Sequence, residues 1–300
     1  MKRFLSTLVL FAGLASGAWA AASYEDAAAQ FSSKRYEDAR KSAEGLAKTG
    51  DARAMAMLGA IYQNGLGTKP DEDKAIRWYT AAAEKNQREA QFSLAMIYLD
   101  GARGVSMIGT GEAWLEKAAA NGHPIAAYNL ALLLTGDEAG TADWPRIVSL
   151  LRLAADEGLA DAQYNLGLLY LDGKGTEQNI TEAGKLFAKA ALQGQTDAAL
   201  QYGVMVYRGE GVAQNMKIGA DWLLLAARQG NPVAQNRIAR ILATGQGLPA
   251  DPVEAAKWHL LAAKNGRPDA WLDDFLKSLT LDQMRDAEDR VASFEPATQQ

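Results

Sequence analysis

A period of 36 residues runs through this chain and constrains its fold more than any other feature of the sequence. Three columns of small residues recur at this interval, and chance cannot supply all three together. The first column is Ala54, Ala90, Ala126, Ala162, Ala198, Ala234 and Ala270. The second is Ala47, Ala83, Ala119, Ala155, Ala191, Ala227 and Ala263, and the third is Gly50, Asn86, Gly122, Gly158, Gly194, Gly230 and Gly266. A fixed period of this length predicts a stacked array of equivalent supersecondary units.

Each unit contains the patterns of two helices. Residues Asp161 to Leu171 carry apolar groups on nearly every side, which is typical of a helix packed between neighbours. From Glu182 to Gln193 the apolar residues fall three and four apart, which is typical of one stripe on an amphipathic helix. The sequence therefore predicts an all-α fold built of stacked helical hairpins.

Capping residues mark the ends of the second helix in each unit. The glycine column closes this helix, because glycine tolerates the left-handed conformation of a C-terminal cap. At the start, five of six units place an Asx side chain where the first free backbone amides need an acceptor. These positions are Asp71, Met107, Asp143, Asn179, Asn215 and Asp251.

The stretch Gly-Lys-Gly-Thr at 173–176 follows an apolar run and raises the question of a phosphate-binding loop. Its spacing departs from the Walker pattern, which needs Gly, four residues and then Gly-Lys-Ser/Thr. Paired glycines also recur between the two helices of other units, at Gly65 and Gly67, Gly209 and Gly211, and Gly245 and Gly247. We interpret these pairs as turns.

The strict alanine columns indicate close helix crossings. Helix axes that lie about 8–10 Å apart leave room only for small side chains at the contact. Larger residues are expected to fill the core around them in two columns. These are Leu58, Leu94, Leu130, Leu166, Tyr202 and Ile238, and Trp78, Trp114, Leu150, Leu186, Trp222 and Trp258.

The first twenty residues predict a secretory signal peptide that is cleaved after Ala20. Lys2 and Arg3 precede an apolar stretch from Phe4 to Leu14, and the segment ends in Ala-Trp-Ala. The alternative, a membrane anchor, needs about 20 uninterrupted apolar residues, and this stretch is much shorter. We therefore expect an exported mature chain that is not inserted in a membrane.

Composition excludes several classes of function. The chain has no cysteine, which rules out disulfides, thiol nucleophiles and thiolate metal sites. Loss of Lys2 and Arg3 with the peptide takes the formal net charge from −5 to −7, and nothing in this balance predicts nucleic-acid binding.

No constellation of residues predicts catalysis. The only histidines, His123 and His259, lie nearly four units apart at positions that we expect the repeat to expose. The adjacent Asp273 and Asp274 do not face the same way on a helix. The sequence predicts no catalytic residue, no metal site and no cofactor.

The recurring motif resembles a known repeat. Ala-x-x-x-Leu-Gly-x-x-Tyr occurs at Ala54–Tyr62 and Ala162–Tyr170, and Gly-x-Gly, an Asx cap, Ala-x-x-Trp and Ala-Ala-x-x-Gly follow it. This pattern is similar to the Sel1-like repeat, a relative of the tetratricopeptide repeat. The loops at 101–107 and 135–145 depart from the pattern, through neutral drift or through reshaping for a partner. The resemblance divides the chain into a signal peptide (1–20), an N-terminal capping helical pair (21–50), six Sel1-like repeats (51–266), a C-terminal partial repeat and capping helix (267–294) and a disordered tail (295–300).

The resemblance implies an α/α right-handed superhelical solenoid whose concave face is lined by the first helix of every unit. Amide side chains there can bond the backbone of an extended peptide, and arginines can hold a carboxylate in a two-pronged contact. In related tetratricopeptide proteins, comparable residues clamp peptide carboxylates. Asn129 and Asn165 have an alternative role as bridges between successive units. The candidate partner-binding residues are Tyr128, Asn129, Tyr164, Asn165, Gln201, Arg208, Arg237 and Arg240.

A function follows from the same resemblance. Sel1-like proteins of this size with a signal peptide are similar to periplasmic regulators, including negative regulators of exopolysaccharide production that restrain a sensor histidine kinase. This implies a non-catalytic periplasmic adaptor or regulator that binds another protein or an extended peptide, such as the periplasmic part of a membrane sensor. Two alternatives stay open: a cell-wall-associated or β-lactam-hydrolysing enzyme, and a peptidoglycan-binding scaffold.

Overall fold

A computed structural model of the chain describes residues 23–100, 107–136 and 142–297. Every regular element in these residues is an α-helix, which confirms the all-α prediction. The expected signal peptide and most of the two unusual loops lie outside the described residues. The helices are α1 (Tyr24–Ser32), α2 (Tyr36–Lys48), α3 (Ala52–Asn64), α4 (Glu72–Ala83), α5 (Arg88–Leu99), α6 (Ile108–Ala120), α7 (Pro124–Thr135), α8 (Trp144–Asp156), α9 (Ala160–Asp172), α10 (Ile180–Leu192), α11 (Thr196–Arg208), α12 (Met216–Arg228), α13 (Pro232–Thr244), α14 (Pro252–Lys264), α15 (Ala270–Leu276) and α16 (Leu281–Ala292).

The chain divides into two compact units, and the boundary in the sequence falls between Ala142 and Asp143. In the first unit, α1 to α7 pack in chain order, each helix against the next, around buried residues such as Leu58, Ile61 and Leu94. None of the described helices is both long and apolar enough to cross a bilayer.

The second unit holds α8 to α16. Here α8 to α14 again pack in chain order, α15 contacts α13 and α14, and α16 lies against α14. Its core contains Phe187, Leu223, Ile238 and Trp258. The backbone N–H of Ala297 donates to O of Arg228 at 2.8 Å.

The predicted caps of the second helices are confirmed. Asp71, Asp143, Asn179 and Asn215 each accept a hydrogen bond from the backbone N–H three residues on, and Asp251 accepts from the two amides that follow Pro252. Met107 has no side-chain cap. The column that closes these helices has positive φ throughout, including Asn86, its one non-glycine member. Each hairpin therefore begins and ends where short-range chemistry dictates.

The paired glycines form turns, as predicted, and they also join neighbouring repeats. The first glycine of each pair ends α3, α9, α11 or α13 in the left-handed conformation. The second glycine lies against the first residue of the second helix of the preceding repeat. A Cβ atom on Gly175 would lie 2.5 Å from the carbonyl carbon of Trp144, and one on Gly211 would lie 2.9 Å from that of Ile180. The turn sequence thus serves the contact between repeats as well as the local bend.

Alanines at the helix crossings are buried as expected. Ala54, Ala90, Ala126, Ala162, Ala198 and Ala234 are completely buried, whereas Ala270, at the start of the short α15, is exposed. The leucine column is also buried, except that Tyr202 is partly exposed.

The predicted tryptophan column is wrong in its register. Trp78, Trp114, Leu150 and Trp222 are only half-buried, although Leu186 and Trp258 are in the core. The residue one position later is buried in every repeat, because one residue along a helix turns the side chain by about 100°. This core column is Tyr79, Leu115, Leu151, Phe187, Leu223 and His259.

Buried glutamines join alternate repeats. Gln91, Gln163 and Gln235 each donate from Nε2 to a carbonyl oxygen in the last turn of the helix that precedes their own, at 3.1 to 3.2 Å. Each of these carbonyls also accepts the backbone N–H of the closing residue, Asn86, Gly158 or Gly230, so the glutamine adds a second bond to the helix end. The equivalent residue in the intervening repeats is Met55, Ala127 or Ala199. Polar and apolar joints therefore alternate along the chain.

Candidate protein-binding site

Two of the predicted contact residues are not accessible. Tyr128 and Asn129 on α7 are both buried, and Asn129 is only 1% exposed. The Nδ2 atom of Asn129 lies 3.8 Å from Sδ of Met96 on α5. The expectation that Asn129 meets a ligand is therefore replaced by the alternative, a contact between successive repeats.

The amide-rich centre of the predicted groove is largely occupied by the protein itself. Gln201 on α11 lies close enough to the Tyr164 hydroxyl on α9 to influence its ionisation. Burial, with a smaller contribution from Asp197, raises the pKa of the Tyr164 hydroxyl. Asn165 is half-buried and already interacts with another group of the protein. Tyr164, Asn165 and Gln201 are all partly buried, whereas Arg208 and Arg240 are exposed and Arg237 is partly buried.

The structure brings together Arg208, Arg237 and Arg240, which we name the arginine cluster. Arg208 is the last residue of α11, while Arg237 and Arg240 are three apart on α13 and share one face. All three line a cavity of about 280 Å³ and also a second cavity of about 490 Å³. Three cations therefore border a common space in a chain of net negative charge.

Arg240 is already paired within the protein. Its Nε and Nη2 atoms each lie 2.7 Å from an oxygen of Asp269, the residue that caps α15, in the two-pronged geometry expected for a ligand carboxylate. Asn236 donates a further bond to Asp269 at 2.9 Å. The Arg240 guanidinium, assisted by Asn236, holds the pKa of the Asp269 carboxyl well below its usual range, although burial acts in the opposite direction. Arg240 thus shapes the site, and its two-pronged contact is satisfied before any partner arrives.

Arg237 differs from Arg240 because it has no such partner. Its Nε atom is buried and makes no hydrogen bond within the protein. Burial, and then the neighbouring Arg208, lower the pKa of its guanidinium, while Glu210 acts weakly in the opposite direction. Glu210 itself lies 3.4 Å from Nη1 of Arg208, and both side chains are about half exposed. A partly desolvated cation beside a like charge is unfavourable, and an added carboxylate would relieve it.

The smaller cavity has an apolar interior. Val204 from α11, Leu223 from α12 and Ile241 from α13 contribute to its lining, together with Tyr207 and Trp271. The Tyr207 hydroxyl donates to O of Gln246 at 3.0 Å, which fixes the ring beside the cavity. We name this space the apolar cavity. The larger one, which Asn236, Arg267 and Asp269 also line, is the polar cavity.

Sequence reasoning did not find Asp269, Tyr207 or Trp271. Asp269 was hidden because it pairs with Arg240 across 29 residues, a separation that no helical spacing connects. Its position directly after Pro268 and before an apolar run is a local signal of a helix cap, and that signal could have found its first role. No local signal indicates the second.

The histidines do not form a catalytic site. Both are buried, contrary to the expectation that the repeat exposes them. His123 caps α7 by accepting from the N–H of Ala126 at 3.1 Å, and Nε2 of His259 lies 2.7 Å from Oδ1 of Asp273. Across residues 23–100, 107–136 and 142–297, no group of three His, Asp or Glu side chains could hold a metal ion.

Stacked helical hairpins with an open cavity define the chain as a helical-repeat scaffold. The model of the Sel1 repeat family matches residues 52–87, 88–123, 160–195, 196–231 and 232–266, which together make up more than half of the chain. The chain belongs to the Sel1 repeat family. The matched stretches omit 124–159, the repeat whose loop departs from the pattern.

A viral protein shares a short part of this sequence. The sel1-like repeat-containing protein L18 of Acanthamoeba polyphaga mimivirus is 45% identical over 42 residues. That stretch is 14% of this chain and 7% of the viral protein. It supports the repeat assignment and no statement about the whole viral protein.

Two solved structures are similar over most of the chain. The first is c5321, described as a protective antigen of uropathogenic Escherichia coli with an SLR fold, at 26% identity and a TM-score of 0.67. The match covers 86% of this chain and 56% of that one. A Sel1 repeat protein from Oxalobacter formigenes, at 24% identity, has a TM-score of 0.62 over 80% of this chain and 96% of its own. Sel1 repeats form scaffolds for protein–protein interaction and are generally non-catalytic.

Proposed function

We propose that this chain is a periplasmic adaptor or regulator of an envelope protein or signalling system, and that it binds an acidic, extended segment of its partner at the arginine cluster. The observation that carries the proposal is the state of Arg237. This guanidinium is partly desolvated, has a buried Nε atom without a hydrogen bond and lies near a second arginine. A carboxylate of the partner beside this guanidinium supplies the missing negative charge.

The surroundings of the cluster support a peptide as the partner. The polar cavity adds Arg267 to the three arginines, and its two acidic neighbours, Glu210 and Asp269, are engaged by Arg208 and Arg240. The site therefore keeps a positive balance on a negative chain, which favours acidic partners and speeds their association. A membrane sensor with an acidic periplasmic segment fits this chemistry.

Periplasmic localisation rests on the first twenty residues. Their order of basic, apolar and small residues is that of a cleaved secretory signal. Expression in a Gram-negative host followed by fractionation and mass analysis tests this. We expect a periplasmic species that begins at Ala21, and an uncleaved cytoplasmic chain would contradict it.

Crosslinking tests the site directly. A photoreactive amino acid at Thr244, which is exposed beside the cluster, is expected to capture one predominant periplasmic protein in living cells. The captured segment, identified by mass spectrometry, should contain Asp or Glu. The same experiment with the reactive group at Gln193, exposed at the end of α10, serves as the control for position.

A charge substitution tests the mechanism. Arg237→Gln should abolish capture at Thr244, and the purified variant should lose at least about tenfold in affinity for the captured segment, the usual effect of removing a charge-assisted contact. Arg228→Gln removes an equivalent charge from the exposed end of α12 and should bind as the wild type does. Capture that persists in the Arg237 variant would refute the proposed site.

A further inference from the structure

The arginine cluster separates two cavities of different chemistry, and this arrangement describes the partner more closely. The polar cavity is lined by Asn236, Arg267 and Asp269 in addition to the cluster. The apolar cavity, on the same three arginines, is lined by aliphatic and aromatic side chains. An occupant that is acidic only would fill the first space and leave the second unfilled.

The apolar cavity has the dimensions of a subsite for one side chain. Its volume of about 280 Å³ lies just below the range of roughly 300–1,000 Å³ found for small-molecule sites. Leu223 and Ile241 in its lining are buried core residues, so the wall is held by the packing of α12 and α13. A preformed wall of this kind costs little ordering when a ligand binds.

An exposed aromatic residue stands at the edge of this cavity. Trp271 on α15 is 45% exposed, although tryptophan gains more than most residues from burial. The Trp271 ring stacks on Phe275 with 6.2 Å between the two centroids. The Arg240 guanidinium lies 5.2 Å from the centroid of the Trp271 ring. The ring therefore has two fixed neighbours and still exposes nearly half of its surface.

We propose that the partner segment places a large apolar or aromatic side chain in the apolar cavity, between Trp271 and Ile241, and a flanking carboxylate on Arg237. This inference rests on the proposed function, because it assumes that an acidic segment binds at the cluster. It adds the identity of the neighbouring residue: Phe, Trp or Leu beside Asp or Glu. The flanking carboxylate has two sources, an acidic side chain or the free end of a chain.

A library selection tests the composition and the source of the carboxylate. Randomised peptides with a free C-terminus and with an amidated C-terminus are selected separately on the mature chain. We expect Phe, Trp or Leu in the enriched peptides, either next to Asp or Glu or at the free C-terminus. Enrichment in both libraries identifies a side-chain carboxylate, and enrichment in the free-acid library alone identifies a chain end. Enriched peptides that are acidic but lack an apolar neighbour overturn this inference and leave the proposed function standing.

A double-mutant cycle tests the contact itself. Changing the apolar residue of an enriched peptide to Ala should weaken binding by about 10- to 100-fold, the usual range for a buried large side chain. On Trp271→Ala the same peptide change should have a much smaller effect, because the two groups contact each other. Trp271→Phe should restore most of the difference, which a general loss of structure would not allow.

The controls separate this inference from the proposed function. Leu192→Ala removes a large apolar residue that is even more exposed than Trp271 and lies away from both cavities, and it should bind like the wild type. Additive effects in the cycle overturn the apolar subsite. If Arg237→Gln leaves the binding of all enriched peptides unchanged, the proposed function is overturned as well.

Discussion

The cap of α7 makes the stability of this protein depend on pH through a single histidine. His123 accepts the Ala126 N–H on Nδ1, and its ring stacks on Phe92 with 4.4 Å between centroids. Burial lowers the pKa of His123 from 6.5 to about 4; Glu89 opposes this shift and Arg88 adds to it. A proton on Nδ1 removes the acceptor and places a charge in a buried site.

The magnitude follows from linkage between protonation and folding. Because the folded pKa is depressed, the unfolded chain binds more protons between pH 4 and 6.5, so stability is complete above about 6.5 and falls as the pH falls. The full shift corresponds to about 3 kcal/mol in the free energy of unfolding, of which about 2 kcal/mol is lost by about pH 5.

His123→Gln tests this reasoning, since glutamine already caps the equivalent helices at Gln87 and Gln195. We expect urea unfolding at about pH 7.5 to differ from the wild type by no more than about 1 kcal/mol, the usual weight of a cap. Between about pH 7.5 and about pH 5, the free energy of unfolding of the variant should rise by about 2 kcal/mol relative to that of the wild type. Carboxylates titrate equally in both proteins and cancel from the comparison.

Gln195→Asn is the control, because it changes a cap without changing a titrating group, and its difference from the wild type should stay constant with pH. If the wild type and His123→Gln lose stability in parallel on acidification, the assigned role of His123 is wrong.

Two further substitutions probe the joints of the stack and the frame of the site. Gly175→Ala should destabilise the protein by about 2–4 kcal/mol in denaturant unfolding, because its φ is +72° and the new Cβ would meet the backbone of Trp144. Gly194→Ala, with positive φ but open space, should cost only about 1 kcal/mol, and equal losses would contradict the steric argument. Asp269→Asn should lower stability by about 1–2 kcal/mol at neutral pH, because it weakens the paired bonds to the half-exposed Arg240; no loss by the same measurement would show that the pair is dispensable.

The helices and their ends could be predicted because their causes are local. Asp71 and Asn179 cap the helices that follow them, and Thr280 with Gln283 forms a capping box at the start of α16. Each of these depends on residues within one turn, so the order of the sequence carries the information.

The side-chain environments were harder to predict. Trp78 and Tyr79 are adjacent apolar residues, and only the angle at which α4 meets its neighbours decides which of them is buried. His123 and His259 were expected to be exposed because of their positions in the repeat, but one is held as a cap and the other by Asp273.

The candidate site could be predicted only in part, because the period fixes the positions of some of its residues and not of others. Arg208, Arg237 and Arg240 fall at the same faces of successive repeats, so the period alone brings them together. The pairing that distinguishes Arg240 from Arg237 depends on Asp269, which lies in the incomplete repeat where the period gives no register.

The alternation of glutamine with alanine or methionine at the inner helices makes the true building block of this chain a pair of repeats. A single module moved by 36 positions would place two glutamine joints, or two apolar joints, next to each other. Adding or removing repeats, by evolution or by an engineer, therefore preserves this alternation only in steps of two repeats.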